Sequence, residues 1–454
     1  MTIGRVLIAN RGEIAVRIIR TCKALGIETV LAVSAADRDS LGARLAGRAL
    51  CIGPAASSGS YLKVDTIVQA ALGSGADAIH PGYGFLSERA DLARLCEREG
   101  ICFIGPTADQ IEAVGDKLRA RGEAEAAAVA VVTGGPVGDL AEAEELGLRI
   151  GTPLLVKAVG GGGGRGMKRV DDLRELPETI ALASAEAGAA FGDARVYIER
   201  LVEKGRHIEV QILGDGEGGV VHLGERDCSV QRRYQKLIEE TPAPHLPSGL
   251  RDEICAAAVR FAQHLRYRGA GTVEFLVDVA RKEFYFLEMN ARIQVEHPTT
   301  ECVTGIDLVA EQIAIADGQG LRFRQDEVHL DGWAIECRIN AEDPARDFAP
   351  SPGVVSEAIW PKADGIRVDT HIVAGAHVPP YYDSLLAKLI AHGPNRASAL
   401  AILGKALAAS RITGVSTNID FHRAVLADPT FAAGGVDTAY LARFLARAPS
   451  LAGS

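Results

Sequence analysis

Two glutamates placed across a short hairpin are the first sign of chemistry in this 454-residue chain. Glu274 lies in Thr272-Val273-Glu274-Phe275-Leu276-Val277-Asp278-Val279, and Glu288 closes Glu283-Phe284-Tyr285-Phe286-Leu287-Glu288. The loop Ala280-Arg281-Lys282 separates them. A turn centred on Arg281 sets Val279 opposite Glu283 and Glu274 opposite Glu288. Directly opposed like charges weaken a hairpin, so the pair makes sense with a divalent cation between the carboxylates. Hard oxygen ligands suit Mg²⁺, which commonly takes one or two carboxylates plus substrate phosphates. Beyond Glu288, the residues Asn290, Arg292, Gln294 and Glu296 recur at spacing two, with apolar Met289, Ala291, Ile293 and Val295 between them. An extended strand would put amide, cation, amide and acid on one face. A merely solvated face would leave the opposed Glu274 unexplained.

A glycine run, Gly160 to Gly164 followed by Arg165-Gly166, comes after the apolar stretch Leu154 to Ala158. Its glycines satisfy GxGxxG, but a dinucleotide fold would open a helix there. Met167-Lys168-Arg169-Val170 reads instead as a second strand. A glycine-rich hairpin tip suits a mobile flap whose backbone N–H groups face phosphates. No GxxxxGK[ST] run occurs, which excludes a P-loop.

These groups need a scaffold, and the chain's periodicities supply one. Val6 to Ala9, Thr29 to Val33, Ala78 to His80 and Ile101 to Ile104 read as strands alternating with helices, the first helix ending at Gly26. That pattern predicts a Rossmann-like parallel-sheet domain closing near residue 115. Residues 120–128 and 172–191 are helical in character. From His207 onward, strands at 207–213, 219–223, 272–279 and 283–289 form hairpins and so an antiparallel sheet. The tail from Pro394 alternates helix and loop. The fold class expected is therefore α/β and α+β, in several domains.

Bulk properties narrow the function. A net charge of −10 argues against a general nucleic-acid binder. Eight scattered cysteines contain no CxxC pair, so neither zinc nor a disulfide framework is expected, and the thiols read as reduced and buried. No stretch is apolar and long enough to span a membrane. The first strand starts almost at once, which leaves no room for a targeting peptide. A cytoplasmic protein is expected.

At this point the chain resembles biotin carboxylase. The resemblance rests on Asn10-Arg11-Gly12-Glu13-Ile14-Ala15, His80 to Glu88, Gly115-Asp116-Lys117, Gly160 to Met167, Glu225 to Ser229, Glu288-Met289-Asn290, Arg292 to Pro298, Glu336 to Pro344 and Pro379 to Ser384. They occur in the family's order along nearly the whole chain. The resemblance implies an N-terminal domain over 1–115, an ATP-grasp domain over 116–330 with a mobile lid at about 128–202, and a C-terminal domain over 331–446. It implies ATP and Mg²⁺ (or Mn²⁺) as cofactors, with biotin supplied by a carrier protein. Lys117, Lys157, His207, Gln231 and Tyr234 would face the nucleotide phosphates, under the flap Gly162, Gly163, Gly164 and Met167. Glu199-Arg200-Leu201-Val202 and Leu276 would hold adenine, and Glu274, Glu288 and Asn290 the metal. Arg292, Gln294, Val295 and Lys236 would hold bicarbonate. Tyr83 and Arg338 would serve the biotin side, Arg338 stabilising an enolate-like oxygen. Glu296 would be the general base. The implied reaction carboxylates biotin through carboxyphosphate, the first half-reaction of an acyl-CoA carboxylase such as that of fatty acid biosynthesis.

Three departures stand out. Tyr234 replaces a usual histidine. The Lys117-to-Lys157 interval is about three residues short, with Ala128-Val129-Ala130-Val131-Val132 in place of a usual Gly-Val-Pro. Thr438-Ala439 replaces an apolar residue and a histidine. The methionines are Met1, Met167 and Met289 alone, so no biotin-accepting Met-Lys-Met is present. The carrier is then another polypeptide or part of a longer chain. The expected partners are a biotin carboxyl carrier protein, a carboxyltransferase and a second copy of the chain. The competing readings are another ATP-grasp carboxylate–amine ligase, or a non-catalytic nucleotide-binding subunit favoured by Tyr234.

Overall fold

The computed structural model describes residues 2–160, 166–279 and 281–447, leaving aside the side chain of Phe191. Strands β1 (Arg5–Ile8), β2 (Glu28–Val33), β3 (Arg48–Cys51), β4 (Ala78–His80) and β5 (Cys102–Phe103) form a parallel sheet in the order β3-β2-β1-β4-β5. Its near-continuous Val/Ile/Leu strands suit a sheet covered on both faces. The helix Gly12–Ala24 follows β1 and buries Ile14, Ile18 and Ile19. Gly26 leaves that helix with φ +72°, the left-handed turn that its position after the helix predicts.

A small antiparallel sheet follows, made of β6 (Gly134–Pro136), β7 (Leu154–Ala158), β8 (Met167–Val170) and β9 (Val196–Arg200). The helices Leu140–Ile150 and Leu176–Phe191 cover it around its own core of Leu146, Leu154, Val156 and Ile198. The helix predicted over 172–191 begins at Leu176, because Leu173–Glu175 is a separate 3₁₀ turn capped by Asp172. β7 and β8 pair antiparallel with Lys157 opposite Met167, as a flap hairpin requires. Its tip, with Gly162, Gly163 and Gly164, lies outside the described residues.

The largest sheet carries the site. It begins with β10 (Arg206–Asp215), β11 (Val220–Arg232), β12 (Gln235–Thr241), β13 (Arg268–Asp278) and β14 (Glu283–Asn290). β11 runs on to Arg232, well past the strand predicted to end at Leu223. β15 (Trp333–Asn340) pairs with β12, and the strands Leu385–Gly393 and Ile366–Thr370 extend the same sheet. The expected boundary at 330/331 therefore divides two stretches of chain that share one sheet.

The hairpin register corrects the expected one near its turn. Asp278, not Val279, pairs with Glu283, and a bulge between the Phe275 and Glu274 pairings restores Glu274 opposite Glu288. The strand predicted to run to Glu296 ends at Asn290. Residues 291–296 form an irregular loop before the helix His297–Thr304. No helix among the described residues is long and apolar enough to cross a membrane. The eight cysteines are free, and against expectation Cys51 is exposed.

Candidate active site

A cleft of about 1510 Å³ is lined by all three parts of the chain, from Glu13 and Tyr83 through Lys117 and Glu288 to Arg338 and Ala439. Its floor is a row of charges set by strand register. Arg226 pairs with Glu209, Glu209 with Glu274, and Glu274 with Glu288, across four neighbouring strands. Three carboxylates in a row, Glu209 and Glu274 buried and Glu288 half-buried, cannot stand without cations. Arg226 Nε donates to Glu209 at 2.5 Å. Lys236, from β12, reaches over the row and donates to Glu209 at 2.5 Å, Glu274 at 2.9 Å and Glu296 at 2.7 Å. Burial alone would strip its charge, but these three acids hold its pKa well above the ordinary lysine value. His207 Nε2 stands 2.7 Å from Glu274. Burial opposes the imidazolium, yet Glu274 raises its pKa.

Glu288 is the least compensated member of the row. Burial and then Glu274 push its pKa up, while Lys117 pulls it down. That carboxylate, Glu274 and the Asn290 amide oxygen form an oxygen donor set that fits Mg²⁺, whose charge would relieve the repulsion. Here the Asn290 oxygen accepts from Arg292 Nη2 at 2.8 Å, and its amide donates to Glu274.

The loop after β14 gathers the expected bicarbonate groups without strand geometry. Arg292 donates to Gln294 Oε1 at 2.8 Å and to Glu88 at 2.9 Å. Gln294 donates to Glu274. Glu296 is fully buried, one layer behind the cleft wall, with Lys236 at 2.7 Å and Arg338 Nη2 at 2.9 Å. Burial works against its charge, but Lys236, Arg338 and Arg226 hold the carboxyl well below the usual carboxylate range.

On the small sheet, Lys157 of β7 is buried and ion-paired with Glu199 of β9. Lys117, the first residue of the helix Lys117–Ala126, has its pKa lowered by burial, which Glu288 partly offsets. Met167, Arg200, Leu201, Val202, His207, Gln231 and Leu276 line the same cleft. Tyr234 sits on its rim, 55% exposed, in the tight turn between β11 and β12. Both turn residues, Arg233 and Tyr234, have positive φ, at +49° and +66°. That geometry is costly for a side chain of this size. Thr438 and Ala439 also line the cleft, and the Thr438 N–H bonds Gly205. The segment 128–132 lies along the hairpin, with Phe286 N–H donating to Ala130 and Val131 bridging Phe286.

Sequence reasoning missed Glu209, Glu239 and Lys388. Glu209 stood in the alternating run His207-Ile208-Glu209-Val210-Gln211, whose period of two was the available signal. Glu239 accepts from Arg338 Nε at 2.6 Å and pairs in register with Glu336. Both are fully buried, and neither Glu336 oxygen has a hydrogen-bond partner among the described residues. Burial, with Glu296 adding to it, raises the Glu239 pKa to about 7 despite Arg338, and Glu336 is raised further. The folded state thus holds its proton more tightly than the unfolded chain. The stability from this proton is fully present below the ordinary carboxylate value and is lost as pH rises toward 7. Glu239→Gln keeps an acceptor for Arg338 and is expected to flatten this loss. Thermal unfolding of both proteins between about pH 5 and 8 would show the variant gaining on the parent as pH rises. Parallel profiles would refute the assignment.

Fold and site together define an ATP-grasp ligase. Three family models cover the chain: "Biotin carboxylase, N-terminal domain" over residues 2–111, "Carbamoyl-phosphate synthase L chain, ATP binding domain" over 116–324, and "Biotin carboxylase C-terminal domain" over 336–443. A biotin carboxylase of Nostoc sp. is 52% identical over 97% of this chain and 99% of its own length. The biotin carboxylase β,γ-ATP complex of Campylobacter jejuni superposes with a TM-score of 0.94 at 44% identity, over 97% of this chain and 99% of that one. The biotin carboxylase domain dimer of Hydrogenobacter thermophilus 2-oxoglutarate carboxylase, with MgADP and bicarbonate, gives 0.95 at 43% identity, over 100% and 99%. The chain belongs to the biotin carboxylase family, whose reaction is the ATP-dependent carboxylation of biotin.

Proposed function

We propose that the charged row and the loop 290–296 carboxylate biotin through carboxyphosphate, with each expected residue in its assigned role. The observation that carries this reading is Lys236 joined to Glu209, Glu274 and Glu296 at once. It couples Glu274, one of the metal carboxylates, to the base. Lys117, Lys157, His207, Gln231 and Tyr234 face the phosphates, and Met167 and the glycines Gly162, Gly163 and Gly164 are assigned to nucleotide binding. Glu199 to Val202 and Leu276 hold adenine. Glu274, Glu288 and Asn290 would hold Mg²⁺, which neutralises phosphate charge when bound.

Arg292 clamps bicarbonate with its guanidinium fork, completed by Gln294, Val295 and Lys236. Glu296 accepts the bicarbonate proton while a bicarbonate oxygen takes the γ-phosphoryl group of ATP and ADP leaves. Lys236 and Arg338, which hold the Glu296 charge, are also the cations that bicarbonate and biotin would engage. Turning them to the substrates removes counter-charge and makes Glu296 a stronger base when it is needed. Carboxyphosphate then yields CO₂ and phosphate, and phosphate takes the ureido proton of biotin. Arg338 stabilises the resulting enolate-like oxygen beside Tyr83, and the biotin nitrogen attacks CO₂.

The working unit is an N-terminal domain over 1–115, an ATP-grasp domain over 116–330 with its lid at about 128–202, and a C-terminal domain over 331–446. It acts in the cytoplasm as a homodimer, with a biotin carboxyl carrier protein and a carboxyltransferase. ADP release from MgATP, with bicarbonate and free biotin each added or omitted, tests the reaction. Release that needs both is expected. Release with bicarbonate alone would remove the biotin half of the proposal, and ATP binding without release would favour a non-catalytic subunit.

A further inference from the structure

Lys388 lies mid-strand between Ala387 and Leu389 in Leu385–Gly393 and is fully inaccessible to solvent. A buried ammonium is costly unless acceptors surround it. An apolar residue would fill the strand at lower cost, so the charge calls for an explanation. Its Nζ donates to the Val295 carbonyl at 2.8 Å and stands 3.1 Å from Glu13 Oε1. Glu13 comes from the first helix, is also buried, and accepts from the Tyr83 hydroxyl, which lines the cleft.

Register adds a second observation. Lys388 pairs with Arg338 on one side and Asp369 on the other. Two neighbouring cations therefore hold two successive residues, Arg338 the Glu296 carboxylate and Lys388 the Val295 carbonyl. Residues 291–296 lie outside strand and helix; the Gln294 and Glu296 carbonyls accept from the His297 and Thr299 N–H groups, and the Val295 carbonyl between them accepts from Lys388. The Lys388 bond sets the orientation of the peptide that joins Val295 to Glu296.

We propose that Lys388 is a positioning residue for the bicarbonate pocket, fixing the Val295–Glu296 peptide through a buried relay to Glu13 and Tyr83. The inference rests on the pocket assigned above. It adds a tie between the first helix, a C-terminal strand and the catalytic loop.

Lys388→Met keeps length and removes the charge and the donor. The bicarbonate KM is expected to rise about tenfold or more, while the KM for ATP and direct MgATP affinity stay within about twofold. Lys388→Arg, which keeps a cationic donor, should recover most of the loss. A folded Lys388→Met with an unchanged bicarbonate KM overturns the proposal, as does a parallel rise in both KM values. If Lys388→Met does not fold, Glu13→Gln takes its place. A rise of about threefold in bicarbonate KM alone is then expected, and no selective rise overturns the proposal. ATP turnover by the parent enzyme that ignores bicarbonate would instead remove the pocket itself.

Discussion

Replacing Glu296 with glutamine is expected to lower bicarbonate- and biotin-dependent ADP release by about 10²–10⁴-fold, the range a positioned general base contributes. Glutamine has nearly the same shape but a single acceptor oxygen, so it can accept from only one of Lys236 and Arg338, which now hold separate oxygens of the carboxylate. It cannot take a proton at neutral pH. The residue stands immediately before the helix His297–Thr304, whose N-terminal end favours a negative charge over an amide by a modest amount. A small loss of stability is therefore expected beside the large loss of rate. MgATP affinity should change little, because the groups assigned to adenine and phosphate lie outside the loop 291–296. Steady-state kinetics with direct nucleotide binding measures both. A variant within about tenfold of the parent rate would remove Glu296 from the role of base.

Lys236→Met should be the most damaging change to the fold itself. Lys236 neutralises part of three carboxylates, Glu209, Glu274 and Glu296, each nearly or wholly inaccessible. Each keeps another cation: Arg226, His207 and Arg338 respectively. The expected cost is about 3–5 kcal/mol, typical of removing one partner from a buried ion pair. Its pH dependence follows from the carboxylates. Burial opposes their charge, yet Lys236 is the leading cause that holds Glu274 and Glu296 below the usual range. A depressed acid stabilises the fold fully above its unfolded pKa, and that contribution fades as pH falls. The deficit of the variant is therefore full above the ordinary carboxylate value and shrinks as pH falls below it. Denaturant unfolding at about pH 7 and about pH 3 measures it. A deficit that does not change with pH would mean that lost packing, not charge, is the cause.

Much of the site was legible because strand chemistry repeats every second residue. Glu274 opposite Glu288 is observed, although the turn and the bulge each depart from the counting that predicted it, and the two offsets cancel. The polar series from Asn290 to Glu296 was visible, but its path was not. A strand end is decided by bonds from elsewhere, here Glu88 to Arg292 and Lys388 to Val295. Glu239 and Lys388 were hidden for a similar reason. Lys388 sits in an apolar strand and Glu239 among other charges on β12, and the partners of each come from distant stretches of chain. The N-terminal parallel sheet was easier to read, since adjacent strands and helices alternate in sequence.

The pairing of β12 with β15 also matters while the chain is being made. β12 is complete at Thr241, but its partner begins only at Trp333. At about 5–20 residues per second, the gap of roughly ninety residues leaves that strand edge open for about 5–20 s. An open edge invites pairing with another nascent chain unless charges deter it. β12 carries Lys236, Glu239 and Glu240 within seven residues. The charges that later hold Arg338 and Glu296 would first act as gatekeepers against aggregation on the ribosome.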